Sequence, residues 1–184
     1  MEPTSIKKAL QLWQQDNPEF DLGSAVDVQL QFRWPPIEKM DDSLSVLVKC
    51  EKLSLSTNMI KRIVGLSQLK NLKILALGRN QIRYVDGIES VAESLEQLWI
   101  SYNLIAKLGS LGAMKKLKVL YIGNNLINDW NELDELGKLK DTLEKLVLGG
   151  NPLAASLHRD DYRKEIKKKL PFLHFLDGQP TVSD

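Results

Sequence analysis

Apolar residues recur along this chain with a long period, and an asparagine marks the same phase in each period. One stretch carries Cys50, Leu53, Leu55, Asn58, Ile60, Ile63 and Leu66. The next carries Leu72, Leu75, Leu77, Asn80, Ile82, Val85 and Ile88 at the same offsets. Leu95, Leu98, Ile100, Asn103, Ile105, Leu108 and Leu111 follow, then Leu117, Leu120, Ile122, Asn125, Ile127, Trp130 and Leu133. A fifth copy opens with Leu143, Leu146, Leu148 and Asn151 and breaks at Pro152. The asparagines are 22, 23, 22 and 26 residues apart. Alternation over Leu-x-Leu predicts a short strand with both leucines on one face and the intervening residue on the other. The asparagine offers a donor and an acceptor where the backbone leaves the strand, which a leucine cannot do. The later apolar positions, three apart, suit a short helical or 3-10 turn on the return.

This is the leucine-rich-repeat signature. No single unit can bury its apolar edge, so the units stack. The expected fold is α/β: a curved solenoid with parallel strands on the concave face, short helices on the convex face and helical caps at both ends. Residues 1–24 read as the N-terminal cap, 25–151 as about six repeats with the first degenerate, and 152–184 as the C-terminal cap. In the first cap, Ile6, Ala9, Leu10 and Trp13 line one helix face behind Thr4 or Ser5, and Asn17-Pro18 ends the helix. Val28 and Leu30 suit the first strand, and Trp34-Pro35-Pro36 an extended turn. Ile37, Met40 and Leu44 resume the convex pattern. The longer spacing before Asn151 predicts a convex helix near 131–140, and a second helix is expected at about 159–170. These C-terminal elements would cover the open edge of the sheet. Cys50 and Trp130 stand at core positions.

Composition narrows the picture. The 25 Lys and Arg nearly balance the 24 Asp and Glu, unlike a chain built to wrap nucleic acid. One cysteine excludes an internal disulfide framework. Cys50, His158 and His174 are too few for a structural zinc site. No apolar run spans a membrane, and Met1 to Lys8 lacks a signal-peptide core. Gly109-Ser110-Leu111-Gly112 lacks phosphate-loop spacing. The histidines read as a surface residue and a part of the C-terminal cap. No enzyme chemistry, metal, cofactor, nucleic acid or membrane partner is expected, and an intracellular setting is.

The informative surface is the concave sheet. Residues between the paired core positions form one row of Gln29, Ser54, Ala76, Trp99, Tyr121 and Val147. The row before it is Asp27, Lys52, Ile74, Gln97, Val119 and Lys145. The expected binding face is thus Ile74, Ala76, Gln97, Trp99, Val119, Tyr121, Lys145 and Val147. Such a patch is either covered by the chain's own termini or a protein-binding site. The second reading is favoured, because large apolar patches are uncommon on monomers and Trp and Tyr anchor interfaces. The convex side and the two ends are expected to offer nothing comparable. A separate basic segment holds Arg159, Arg163, Lys164, Lys167, Lys168 and Lys169. It is either a solvated helix face or a contact for an acidic surface.

Several strings go beyond the generic repeat. They are Pro-Pro-Ile-Glu-Lys-Met-Asp at 35–41, Cys-Glu-Lys-Leu-Ser-Leu-Ser-Thr-Asn at 50–58, Leu-Gly-Arg-Asn at 77–80, Leu-Trp-Ile-Ser-Tyr-Asn at 98–103, Gly-Asn-Pro-Leu at 150–153 and Leu176-Asp177-Gly178. In these the chain resembles the leucine-rich-repeat light chains of axonemal outer-arm dynein. The resemblance implies a non-catalytic subunit, in the cytoplasm and cytoskeleton of the ciliary or flagellar axoneme. It implies binding of a dynein heavy chain at its microtubule-binding stalk tip through the sheet face, with tubulin as a further partner and an influence on ciliary beating. The family carries a charged extension after Leu-Asp-Gly, whereas six residues, Gln179 to Asp184, follow Gly178 here. The 159–169 segment is the nearest substitute. Short repeats of this type also resemble regulatory subunits of protein phosphatases. An RNA-binding repeat is the third reading, which the balanced charge disfavours.

Overall fold

The computed structural model describes residues 1–182. Eight short strands form one sheet in sequence order. They are β1 (Asp27–Gln29), β2 (Lys52–Ser54), β3 (Ile74–Ala76), β4 (Gln97–Trp99), β5 (Val119–Tyr121), β6 (Lys145–Val147), β7 (Phe175–Leu176) and β8 (Gln179–Pro180). The first seven run parallel, and β8 is antiparallel to β7. Val28, Leu53, Leu75, Leu98, Leu120, Leu146 and Leu176 are register partners across the sheet, and all are buried. The sheet, the repeat of the sequence and a continuous apolar core from Ile6 to Leu176 make this an open leucine-rich-repeat solenoid.

The asparagines form a buried ladder. Asn103 Oδ1 accepts from the Ile82 amide of the preceding turn at 2.9 Å. Its Nδ2 donates to Leu77 O at 3.0 Å in that turn and to Ile100 O at 3.1 Å in its own. Asn58, Asn80, Asn125 and Asn151 repeat the pattern. The residue before each asparagine is left-handed, with φ of 56, 55, 59 and 54° at Thr57, Arg79, Tyr102 and Asn124. That conformation costs a non-glycine residue about 1–2 kcal/mol. It lets each of these four amides donate to the next rung, at 2.9 to 3.0 Å. The first turn departs from the pattern. Phe32 is left-handed, but Arg33 stands where asparagine is expected and bonds Gln29 O instead.

Convex 3-10 turns lie at Asp42–Val46, Ile88–Val91, Gly109–Ala113 and Trp130–Leu133. The N-terminal helix, α1 (Ile6–Asp16), starts at Ser5, whose hydroxyl accepts from the Lys8 amide. Its stripe of Ile6, Ala9, Leu10 and Trp13 closes one end of the core, and the helix packs on the Asp42–Val46 turn. The Trp34–Pro35 peptide in the following turn is cis. In the long fourth repeat, where a convex helix near 131–140 is expected, the Trp130–Leu133 3-10 turn runs into a short α2 (Asp134–Gly137), which ends three residues sooner. Cys50 is fully buried, but Trp130 is only half-buried. An indole is larger than the side chains filling the equivalent slots at Ile63, Val85 and Leu108. It lies instead beside Tyr162, with ring centroids 6.3 Å apart.

At the C-terminus α3 (Pro152–Ala155) and α4 (Arg159–Lys169) precede β7. The edge is not merely covered, because the chain adds a seventh rung and folds back. Asp177 and Gly178 have φ of 50 and 77°, which suits a tight hairpin turn. Pro180 on the last strand lacks an amide donor, which blunts the edge against further pairing.

Candidate protein-binding face

The two sequence-derived rows are adjacent on the sheet. Register partners run Asp27, Lys52, Ile74, Gln97, Val119 and Lys145 in one, and Gln29, Ser54, Ala76, Trp99, Tyr121 and Val147 in the other. Ile74, Gln97, Trp99, Val119, Tyr121 and Val147 are half-buried, Lys145 is exposed, and Ala76 is buried as floor. The Trp99 and Tyr121 rings stack at 6.0 Å and 18°. They stand on adjacent rungs, where same-face neighbours meet directly. Trp99 Nε1 donates to Gln97 Oε1 at 3.2 Å, and Lys52 Nζ lies 5.2 Å from the Trp99 ring centre. These contacts order the pair on the sheet.

Two contributors escaped the sequence reading. Phe175 continues the first row beyond Lys145, whose ammonium lies 5.0 Å from the ring. The signal was present, since Phe175-Leu176 repeats the Val119-Leu120 pairing of an apolar concave residue with a core leucine. The second is a shelf of small residues one step along each rung: Ser56, Gly78, Ser101, Gly123 and Gly149. A Cβ on Gly123 would lie 2.9 Å from Gly149 O, so the rungs approach closely there. An aromatic wall beside a low shelf suits an elongated partner element such as a helix laid across the strands.

The six basic positions of α4 do not form one group. Arg163 is half-buried and donates to Leu176 O at 3.0 Å and Pro180 O at 2.8 Å, tying α4 to the hairpin. Beside it Tyr162 Oη donates to Asp177 Oδ2 at 2.8 Å. Burial, and then the Asp177 charge, push the Tyr162 hydroxyl well above its ordinary range, so it stays a donor. Asp177 Oδ1 in turn accepts from the Leu148 and Gly149 amides at 2.7 and 2.9 Å. Lys169 pairs with Asp134 at 3.3 Å and Lys168 with Glu165 at 2.7 Å. Arg159, Lys164, Lys167 and Lys168 are exposed. Among the described residues no group of three or more His, Cys, Asp or Glu could hold a metal ion, and no helix is long and apolar enough to cross a membrane.

A family model for leucine-rich repeats in two copies matches residues 93–135, which hold the Trp99 and Tyr121 rungs. The chain is 54% identical over 182 residues to dynein axonemal light chain 1 of Ciona intestinalis, covering 98% of this chain and 95% of that one. It is 54% identical over 180 residues to the protein of the same name from Xenopus laevis, covering 97% and 93%. The chain belongs to the axonemal dynein light chain 1 family. The solved structure of an internalin from Listeria monocytogenes superposes with a TM-score of 0.65 at 23% identity, over 84% of this chain and 42% of that one. That likeness speaks for the solenoid alone. Axonemal dynein light chain 1 proteins of this repeat fold are interaction subunits rather than enzymes.

Proposed function

We propose that this dynein light chain holds a heavy chain at its microtubule-binding stalk tip through the concave face. From there it adjusts how the motor engages the microtubule, and so ciliary or flagellar beating. The observation that carries the reading is the stacked Trp99–Tyr121 pair, preset on a solvent-accessible sheet in a member of a dynein family. Ile74, Val119, Val147 and Phe175 extend the apolar area, and Lys52 and Lys145 supply its charged rim. The exposed cations of α4, Arg159, Lys164, Lys167 and Lys168, face the acidic microtubule surface in this reading, and Arg163 and Lys169 hold the helix in place. The working location is the axoneme.

The test is capture of a heavy-chain stalk-tip fragment. Trp99→Ala with Tyr121→Ala should weaken it by about 30-fold or more, because an aromatic anchor pair carries about 2 kcal/mol or more. Unchanged capture would remove the concave face from the interaction. Charge reversal at Lys164, Lys167 and Lys168 should weaken microtubule co-sedimentation of the complex most at low salt, and no salt dependence would refute the α4 contact.

A further inference from the structure

The flank of the solenoid, between the asparagine ladder and the convex turns, carries a second feature. A groove of about 670 Å³ runs between consecutive turns there. Lys61, Arg62 and Val64 line one side, and Arg83, Tyr84 and Asp86 the other. A neighbouring hollow of about 410 Å³ shares Lys61, Arg62 and Val64 and adds Lys39 and Glu38 from the turn before. Four cations thus face two carboxylates along the joined groove, and one carboxylate, Asp86, already accepts from Ser110 Oγ at 3.0 Å.

These cations differ from others that bridge turns. Lys73 pairs with Glu51 and Lys118 with Glu96. Among the described residues Lys39, Lys61, Arg62 and Arg83 make no ion pair. Tyr84 is 63% and Val64 41% exposed, so apolar surface lies between the charges. Exposed like charges on adjacent rungs repel, and among the described residues no ion pair offsets them.

We propose that this groove binds an extended acidic peptide segment of a partner protein, one with carboxylates spaced along it and an apolar side chain against Tyr84 and Val64. The cations are strung along successive turns and do not converge on one point, which matches a line of carboxylates better than a single phosphate. No residue of the concave rows lines the groove, so this contact is separate from the heavy-chain reading above and leaves the sheet face open.

The experiment uses the full chain and a fluorescein-labelled oligoglutamate peptide containing one phenylalanine, read by anisotropy at low and physiological salt. Saturable binding is expected, weakened about tenfold or more by Arg62→Glu with Arg83→Glu, since each reversal both removes an attraction and adds a repulsion. Lys7→Glu with Lys8→Glu on α1 changes net charge equally and should leave binding intact, as should Trp99→Ala with Tyr121→Ala. Tyr84→Ala should weaken the peptide at both salt concentrations, because its contact is not ionic. Absence of binding at low salt overturns the proposal. So does equal loss in the α1 and groove variants, which would mean net charge alone. Retention on phosphatidylserine vesicles through Arg62 and Arg83, with no peptide binding, would make the surface a membrane contact and overturn it as well.

Discussion

Neighbouring asparagines of the ladder share their acceptors. Leu77 O receives amides from both Asn80 and Asn103, each at 3.0 Å, and Ile100 O from both Asn103 and Asn125, each at 3.1 Å. Asn103→Leu, which keeps the branching at Cγ and is somewhat bulkier, leaves no room for water to replace the amide. It orphans one buried group, the Ile82 amide, and leaves the two carbonyls with one donor each. An orphaned buried donor costs about 1–3 kcal/mol, and each lost hydrogen bond with a remaining partner about 0.5 kcal/mol, for a total of about 3 kcal/mol. Asn80→Leu alone should cost about the same. Together they strip Leu77 O of both donors, a penalty of about 1–2 kcal/mol present in neither single variant. Asn58 donates to Leu30 O and Leu55 O and shares no acceptor with Asn103. Asn58→Leu with Asn103→Leu should therefore add to within about 0.5 kcal/mol. Urea unfolding in sucrose, which keeps all variants folded at the start, measures both cycles by far-ultraviolet circular dichroism and tryptophan fluorescence. If the adjacent pair is additive, or costs less than the sum, the carbonyls are not the shared element and the argument fails.

Other expectations follow from single contacts. Gly87 has φ of 101°, and a Cβ there would lie 2.0 Å from Ile63 O. Gly87→Ala should cost about 2 kcal/mol or more in urea, whereas Gly137→Ala in α2, with open space around it, should be neutral or stabilise by up to about 1 kcal/mol. Burial pushes the Cys50 thiol up to about 12 from 9.0 in the unfolded chain. Between those values the unfolded state loses the proton first, so stability should fall as pH rises above about 9, by at most about 1.4 kcal/mol per unit from this group. Cys50→Ala should flatten that part of the profile, and an unchanged slope would assign it to other groups. Arg163→Ala should release the hairpin, costing about 2 kcal/mol and raising amide exchange at 175–180, because two carbonyls lose a charged donor. Lys164→Ala, exposed on the same helix, should stay within about 0.5 kcal/mol of the parent.

Legibility in this chain follows the direction of the rung. Within one turn, each core leucine and each asparagine has a single job, so the offset from Asn103 fixes whether a residue faces the core, the ladder or the concave side. That is why the two concave rows could be read from spacing, with Trp99 beside Tyr121. Where the asparagine is missing the reading weakens. Arg33 replaces it in the first turn, and the closing rung of Phe175 and Leu176 has none, so a seventh strand read as cap. Helix periodicity put Arg163 with the other cations of α4, but cannot tell a guanidinium in water from one bent back onto Leu176 O. The flank groove was missed for the same reason. Lys61 and Arg62 look like ordinary solvated positions within their own turn, and Arg83 and Tyr84 within theirs. Only stacking brings them face to face, some 20 residues apart in sequence. Both proposed surfaces are therefore made between rungs, Trp99 on Tyr121 in one and Arg62 and Arg83 lining one groove in the other. A repeat unit states what it needs to fold in its own residues, whereas its binding surfaces reside in the differences between one unit and the next.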